Sequence, residues 1–338
     1  MKVPTPRKMS SGNWYIQLRL NGQSVSVVAS TEKECRDKAA LIKAEYRTGK
    51  NAIVTGDSIT LGDALSHYID IKRDVLSPST IRGYTSIRNN YFASVMDKRI
   101  KDIKSWQSVI NAEAKIRSPK TIKNAWRFVC SALKESEIPA PKVTLPQLIP
   151  TEHPWLEPNE IKQFVAALEG QPHEIPALLA LHSMRRSEIM ALTWDKIDLK
   201  RGIIKVSGAT VFDENNKLVT KRTNKNSSST RTIPIMIPAL RTALEAVENK
   251  QGAVVTCNPN TIWARVNRSC RALELPEVGV HGLRHSFASL AYHLGWSEQQ
   301  TMEIGGWSDT ITMHKIYTHL AAADRVKARN TMADFYAT

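Results

Sequence analysis

Between residues 13 and 29 apolar and polar positions alternate: Trp14-Tyr15-Ile16-Gln17-Leu18-Arg19-Leu20, then Asn21-Gly22, then Gln23-Ser24-Val25-Ser26-Val27-Val28. A period of two on either side of Asn-Gly predicts an antiparallel hairpin, because that dipeptide accepts the positive φ angles of a tight two-residue turn. From Thr31 to about Arg47, Cys35, Ala39, Leu41, Ala44 and Tyr46 lie among charges in a pattern that predicts a helix. Hairpin and helix together define a small module over residues 1–50. Its interspersed Lys and Arg would suit a sheet-type DNA reader, and a hairpin that merely packs on its neighbour fits the same pattern.

Residues 51–57 read as a linker. Beyond it, Ser77-Pro78-Ser79-Thr80-Ile81 and Ser118-Pro119-Lys120-Thr121-Ile122 share one opening, with Ser at a helix N-cap and Pro at the first helical position. After the second, Ile122, Ala125, Trp126, Val129 and Leu133 recur at helical spacing. Residues 58–140 are therefore expected to form a helical domain. Its Arg82, Arg88, Lys98, Lys101, Lys120, Lys123 and Arg127 would make either a DNA-lining stripe or a solvated face. Pro139, Pro141, Pro146, Pro150 and Pro154 exclude a continuous helix and mark an extended linker. In the last part, residues 150–338, Glu157 to Leu168 and Glu174 to Trp194 read as helices. Ile203 to Val211 and Arg231 to Ile235 read as strands, and helix returns up to about residue 335. The expected fold is multidomain α+β: a hairpin–helix module, a helical domain and a mainly α domain with a small antiparallel sheet.

Charge adds a partner to this picture. Of 338 residues, 47 are Lys or Arg and 32 are Asp or Glu, a formal net charge of +15. Such a surplus favours a polyanion through counterion release. Cys35, Cys130, Cys257 and Cys270 form no C-x-x-C pair, so neither a disulfide framework nor a zinc knuckle is expected, and reduced thiols in a cytoplasm fit best. The N-terminus lacks the apolar run of a secretory signal, and no stretch is apolar enough to span a membrane.

Four segments of the last domain carry phosphate chemistry. His182-Ser183-Met184-Arg185-Arg186-Ser187-Glu188-Ile189 sets two arginines among apolar flanks, where each needs an anionic partner; Glu188 or a phosphate would serve. The polar stretch Thr220 to Pro234, with Lys221 and Lys225, reads as a hairpin tip that would fold over a ligand or simply be solvated. His281-Gly282-Leu283-Arg284-His285 puts a proton carrier and a phosphate clamp three residues apart on one helix face. His281 and His285 also have metal-pair spacing, but no acidic or cysteine cluster offers further ligands, so no metal and no other cofactor are expected. Gly305-Gly306-Trp307 is followed ten residues later by Tyr317 in Ile316-Tyr317-Thr318-His319.

Taken in order, these segments resemble the tyrosine recombinase (phage integrase) family, and the resemblance spans essentially the whole chain. The family's pattern of Arg, Lys, His-x-x-Arg, His or Trp, and Tyr falls on Arg185, Lys225, His281 and Arg284, Trp307 and Tyr317. Two positions depart from its common form: His182-Ser183-Met184 stands in place of Thr-Gly-Leu, and Gly306-Trp307 in place of Gly-His. Residues 1–50 resemble the arm-type DNA-binding domain of integrases, 58–140 the core-binding domain and 150–338 the catalytic domain.

The resemblance implies cleavage and rejoining of DNA at attachment sites of a phage or other mobile element. Tyr317 would attack phosphorus to form a 3′-phosphotyrosyl intermediate while the 5′-oxygen departs. Arg185 and Arg284 would stabilise the transition-state charge, His281 would handle the tyrosine proton, Lys225 would protonate the leaving oxygen, and Trp307 would buttress the phosphate. No nucleotide fuel is required, since one phosphoester replaces another. A homotetramer on DNA and an accessory DNA-bending protein are further implications. The tail from Ala321 to Thr338 would dock on a neighbouring protomer or close its own domain. A type IB topoisomerase, or a sequence-specific DNA-binding protein without catalysis, are the alternative readings.

Overall fold

The computed structural model describes residues 3–9, 12–20, 23–47, 59–148, 154–221 and 230–308, with positions 310–311, 313–314, 317, 329, 332–333 and 335–336 beyond them. The chain divides into two compact units, one of residues 1–70 and 88–146, the other of 71–87 and 147–338.

The expected hairpin is present: β2 (Trp14–Leu20) pairs antiparallel with β3 (Gln23–Ala29) in a register running from Trp14↔Ala29 to Leu20↔Gln23. The connecting Asn21-Gly22 lies outside the described residues. A short β1 (Arg7–Lys8) adds a third strand that the sequence pattern did not announce. Alternation puts Ile16, Leu18, Val27 and Ala29 on one buried face, where Cys35 and Ala39 of α1 (Glu32–Arg47) cover them. The helices that follow are α2 (Leu61–Lys72), α3 (Pro78–Asn90), α4 (Trp106–Ala114) and α5 (Pro119–Glu135). At the start of α5 the Ser118 side chain accepts the Thr121 N–H, and the predicted stripe Ile122, Ala125, Trp126, Val129 and Leu133 is buried. Thr144 in the proline-rich stretch is tied to α4 by two hydrogen bonds with the Gln107 amide, of 2.8 and 3.1 Å.

Residues 71–87 cluster with the second unit rather than with the rest of 58–140. The contacts are chemical. Arg82 donates to Asn216 Oδ1 (2.8 and 3.1 Å) and lies 5.4 Å over the Phe212 ring, while Arg73 pairs with Glu214.

In the second unit, α6 (Pro158–Leu168), α7 (Glu174–Leu181), α9 (Pro238–Glu245), α10 (Pro259–Ala272) and α11 (Gly279–His293) enclose one apolar core. Three expectations are corrected. The helix over 174–194 breaks after Leu181, because Ser183 takes a positive φ of 81°, and only the short α8 (Arg186–Ile189) resumes it. The strand over 203–211 splits at Gly208 (φ 80°) into β5 (Ile203–Val206) and β6 (Ala209–Phe212). A Cβ at Gly208 would stand 2.9 Å from the Lys221 carbonyl oxygen, so the bend requires glycine. Finally, the strands flanking the lysine-bearing segment do not pair with each other. β7 (Leu218–Lys221) pairs with β6, whereas β8 (Arg231–Pro234) joins β5 and β4 (Ile197–Asp198), making two small antiparallel sheets instead of one. The helix α12 (Glu298–Gly305) completes the regular elements up to residue 308. Among the described residues no helix is long and apolar enough to cross a membrane.

Candidate functional site

The break after α7 builds the site. The turn His182-Ser183-Met184 is buried, and Arg185 follows at the N-cap of α8. Glu188, only 4% exposed, accepts the Arg185 backbone N–H (2.9 Å) and its Nη1 (2.7 Å). Arg185 Nη2 then donates to the Gly306 carbonyl at 2.5 Å.

Two more guanidinium groups converge here. Arg231, at the start of β8, donates to both Glu188 oxygens (3.3 and 3.2 Å) and through Nε to the Ile304 carbonyl (2.9 Å). Arg284, on α11 and 2% exposed, donates through Nη1 to the Ser183 carbonyl. Its Nη2 is buried with no hydrogen-bond partner among the described residues. The Arg284 Cζ stands 3.9 Å over the Trp307 ring, which is stacked in turn on Phe287 with centroids 6.3 Å apart. The Gly-Gly pair makes that packing possible. A Cβ on Gly305 would sit 1.7 Å from the Trp307 ring, and Gly306 closes α12 in the left-handed region (φ 66°), 2.7 Å from the Arg231 guanidinium at its Cβ position.

Three guanidinium groups around one carboxylate leave an excess of positive charge. Burial alone would raise the Glu188 pKa, but Arg231 and Arg185 outweigh it and hold the carboxyl below its usual range. Burial depresses the Arg284 pKa well below its ordinary value, and the charges of Arg185 and Arg231 add to that while Glu188 opposes it. A desolvated cation with a free donor among like charges is a place for an anion.

The Tyr317 hydroxyl lies 2.6 Å from Thr301 Oγ1 and donates to the Trp296 carbonyl at 3.3 Å. Its ring meets Tyr292 edge-on at 5.3 Å and shares a cluster with Ala288 and Met313, against which Trp307 also packs. Burial raises the phenol pKa and Glu298 adds to this, while the Thr301 hydrogen bond opposes it. His281 lies exposed in the first turn of α11, its ring 4.6 Å from that of His285. Arg185, Arg284 and Trp307 are thus brought into direct contact with one neighbourhood, His281 shares the helix of Arg284, and Tyr317 shares the packing of Trp307. Lys225 lies outside the described residues; Lys221 ends β7 opposite Ala209. Among the described residues no group of three His, Cys, Asp or Glu could hold a metal ion.

Sequence reasoning overlooked Arg231, although a signal was present. It shares a strand face with Ile233, which is fully buried, and a charge facing the core needs a partner. His182 was also undervalued. It is fully buried, and its Nε2 accepts the Met236 N–H at 2.9 Å, so the ring must stay neutral. Burial lowers its pKa to about 4, with Arg231 adding to the shift. The unfolded chain takes up the proton near the ordinary histidine value and the folded chain does not. The stability contribution is therefore present above about pH 6.5 and is lost as pH falls toward 4, amounting to ~3 kcal/mol. His182→Gln, which keeps an acceptor, should flatten the decline of Tm between pH 6.5 and 4 relative to wild type. Parallel Tm curves for the two proteins would contradict this role.

The sequence profile of the Phage integrase family matches residues 154–324, just over half of the chain and the whole of this arginine pocket. A tyrosine recombinase XerC-like protein of Caldanaerobacter subterraneus subsp. tengcongensis is 25% identical over 361 residues, spanning 90% of this chain and 90% of that protein. The integrase of Salmonella phage P22 is 24% identical over 200 residues, 54% of this chain and 48% of that one. Among solved structures, the Tn1549 transposon integrase in complex with transposon right end DNA superposes with a TM-score of 0.63 at 17% identity, over 80% of this chain and 99% of that one. A lambda integrase tetramer bound to a Holliday junction gives 0.53 at 16% identity, over 91% and 96%. These superpositions establish a shared helix-rich fold with small antiparallel sheets. With the profile lying over the residues that build the pocket, the chain belongs to the phage integrase family, the tyrosine recombinases, and is an enzyme of DNA strand transesterification.

Proposed function

We propose that the chain is a site-specific recombinase that integrates or excises a phage or other mobile element through a 3′-phosphotyrosyl intermediate on Tyr317. One observation carries this reading: an arginine cluster around Glu188 in which the buried Arg284 Nη2 has no hydrogen-bond partner among the described residues, packed through Trp307 against the cluster that holds Tyr317. In-line attack needs a nucleophile, a cradle for the phosphoryl oxygens and a proton route. Tyr317 is the nucleophile. Arg185 and Arg284 face the non-bridging oxygens, where removing one comparable donor costs about 10²–10³ in rate. His281 takes the phenol proton, which the raised Tyr317 pKa keeps in place until a base removes it. Lys225 delivers a proton to the departing 5′-oxygen, and Trp307 holds the Arg284 plane by cation–π stacking.

The partner is double-stranded DNA at attachment sites. The solved relatives bound to transposon end DNA, and to a Holliday junction as a tetramer, support a tetrameric assembly on DNA for this chain as well. In this reading residues 1–50 bind arm-type sites, 58–140 bind the core site and 150–338 carry the chemistry, and a DNA-bending protein assists assembly. The net charge of +15 supplies the attraction.

The test is recombination between two attachment sites on one supercoiled plasmid, in excess EDTA. Resolved products with exchanged flanks are expected. Relaxed plasmid alone would mark a topoisomerase, and unaltered plasmid with intact binding would mark a DNA-binding protein without catalysis. Loss of products on adding EDTA would revive the His281–His285 pair as metal ligands.

A further inference from the structure

We infer that Arg231 is a positioning residue of the strand-cleavage site, which sets Arg185 by holding Glu188 and the 304–306 turn from the side away from the substrate. The inference rests on the reading that Arg185 grips the scissile phosphate.

The hydrogen bonds make a closed frame. Each Glu188 oxygen receives one donor from Arg185 and one from Arg231: Oε1 from the Nη1 of each at 2.7 and 3.3 Å, Oε2 from the Arg185 N–H at 2.9 Å and Arg231 Nη2 at 3.2 Å. The second link is backbone. Arg231 Nε donates to the Ile304 carbonyl at 2.9 Å, two residues before Gly306, whose carbonyl takes Arg185 Nη2 at 2.5 Å. Both arginines therefore clasp the same carboxylate and the same turn.

Their exposure separates their roles. The Arg185 side chain is 35% exposed and keeps a face for a phosphate, whereas that of Arg231 is 7% exposed and its three nitrogens are all engaged. Arg231 acts through Glu188 and does not reach substrate. It also begins β8, where the chain leaves the segment that bears Lys225. One buried guanidinium thus connects that strand, the first-arginine turn and the end of α12.

The charges facing Glu188 are Arg185 from its own turn, Arg231 from β8 and Arg284 from α11, while His182 is neutral and is influenced by Arg231. Burial is the largest influence on Glu188 and pushes its pKa up; Arg231 is the largest one pulling it down. Removing Arg231 should raise the Glu188 pKa. Protonated Glu188 loses one acceptor for Arg185, so cleavage would fail as pH falls through the raised value. Loss of a residue needed only for folding would not shift the acid limb.

The experiment uses the full chain and a nicked suicide substrate at saturating DNA, with single-turnover cleavage followed from pH 5 to 9. Arg231→Met should keep the DNA Kd within about threefold and lower the cleavage rate about 10²-fold, the scale of a 1 Å misplacement. Its acid limb should move to higher pH. Arg231→Lys, which retains the charge, should return the limb toward its wild-type position while recovering only part of the rate. The double variant Arg231→Met/Glu188→Gln should be no slower than Glu188→Gln alone, because the two act in series. Wild-type cleavage by Arg231→Met, an unshifted limb in the folded variant, or fully additive losses in the double variant would each overturn the inference. If Arg231→Met does not fold, Arg231→Lys decides by rate: cleavage slower than wild type at unchanged DNA Kd is expected, and full wild-type cleavage overturns the inference. A wild type that forms no adduct would instead defeat the underlying reading of the site, and this inference with it.

Discussion

Tyr317→Phe should abolish covalent capture of DNA while leaving DNA affinity within about twofold. The ring remains and keeps its contact with Tyr292 and its place beside Ala288 and Met313. Only the hydroxyl is lost, and with it the bonds to Thr301 and the Trp296 carbonyl. Thr301 retains its own bond to the Ser297 carbonyl at 3.0 Å, so no buried donor is orphaned and the cost to stability is about 1 kcal/mol. A binding assay beside denaturing electrophoresis of a trapped reaction separates the two effects. Any residual adduct would move the nucleophile to another tyrosine, Tyr292 or Tyr336. A collapse of binding would make Tyr317 a packing residue.

Arg284→Met is expected to separate stability from catalysis in the opposite sense. In the free protein Arg284 is a buried charge, 2% exposed, beside Arg185 and Arg231, and its Nη2 has no hydrogen-bond partner among the described residues. The Ser183 carbonyl, the face of Trp307 and the Glu188 carboxylate compensate it in part, and Glu188 keeps Arg185 and Arg231 when Arg284 is removed. Replacing such a group with an apolar side chain of similar length tends to be neutral or stabilising. The Tm of Arg284→Met without DNA should therefore equal or exceed that of wild type, while adduct formation falls about 10²–10³-fold. Inorganic sulfate offers a further check. It should raise the Tm of wild type by occupying the pocket and should have less effect on the variant. A clear drop in Tm with a matching drop in activity would make Arg284 a structural residue.

Much of this was readable in the chain where one local rule decides the outcome. The Trp14–Ala29 hairpin follows from alternation around Asn-Gly, and α5 from Ser118, Pro119 and an apolar stripe, because both depend on neighbours a few positions apart. The failures are tertiary. Ser183 has no intrinsic preference for φ 81°; the turn is held by burial and by Arg284 donating to its carbonyl, a hundred residues away in sequence. The pairing of β8 with β5 rather than β7 is equally non-local, although Gly208 marked the bend that makes it possible. Within the site, the residue types were legible, but the sharing of Glu188 between Arg185 and Arg231 was not. The partner of a buried carboxylate is selected by three-dimensional proximity, and Arg231 lies 43 residues away.

The claim that Tyr317 becomes bonded to DNA is tested most directly by locating the bond. A suicide substrate traps the adduct, trypsin and nuclease reduce it, and mass spectrometry identifies the peptide that carries nucleotide. Cleavage after Lys315 and Arg325 releases residues 316–325, in which Tyr317 is the sole tyrosine. The expected product is a nucleotide joined through its 3′-phosphate to Tyr317 in that peptide, with a free 5′-hydroxyl on the departed strand. A nucleotide on a peptide bearing Tyr292 or Tyr336, or a linkage through the 5′-phosphate, would contradict it.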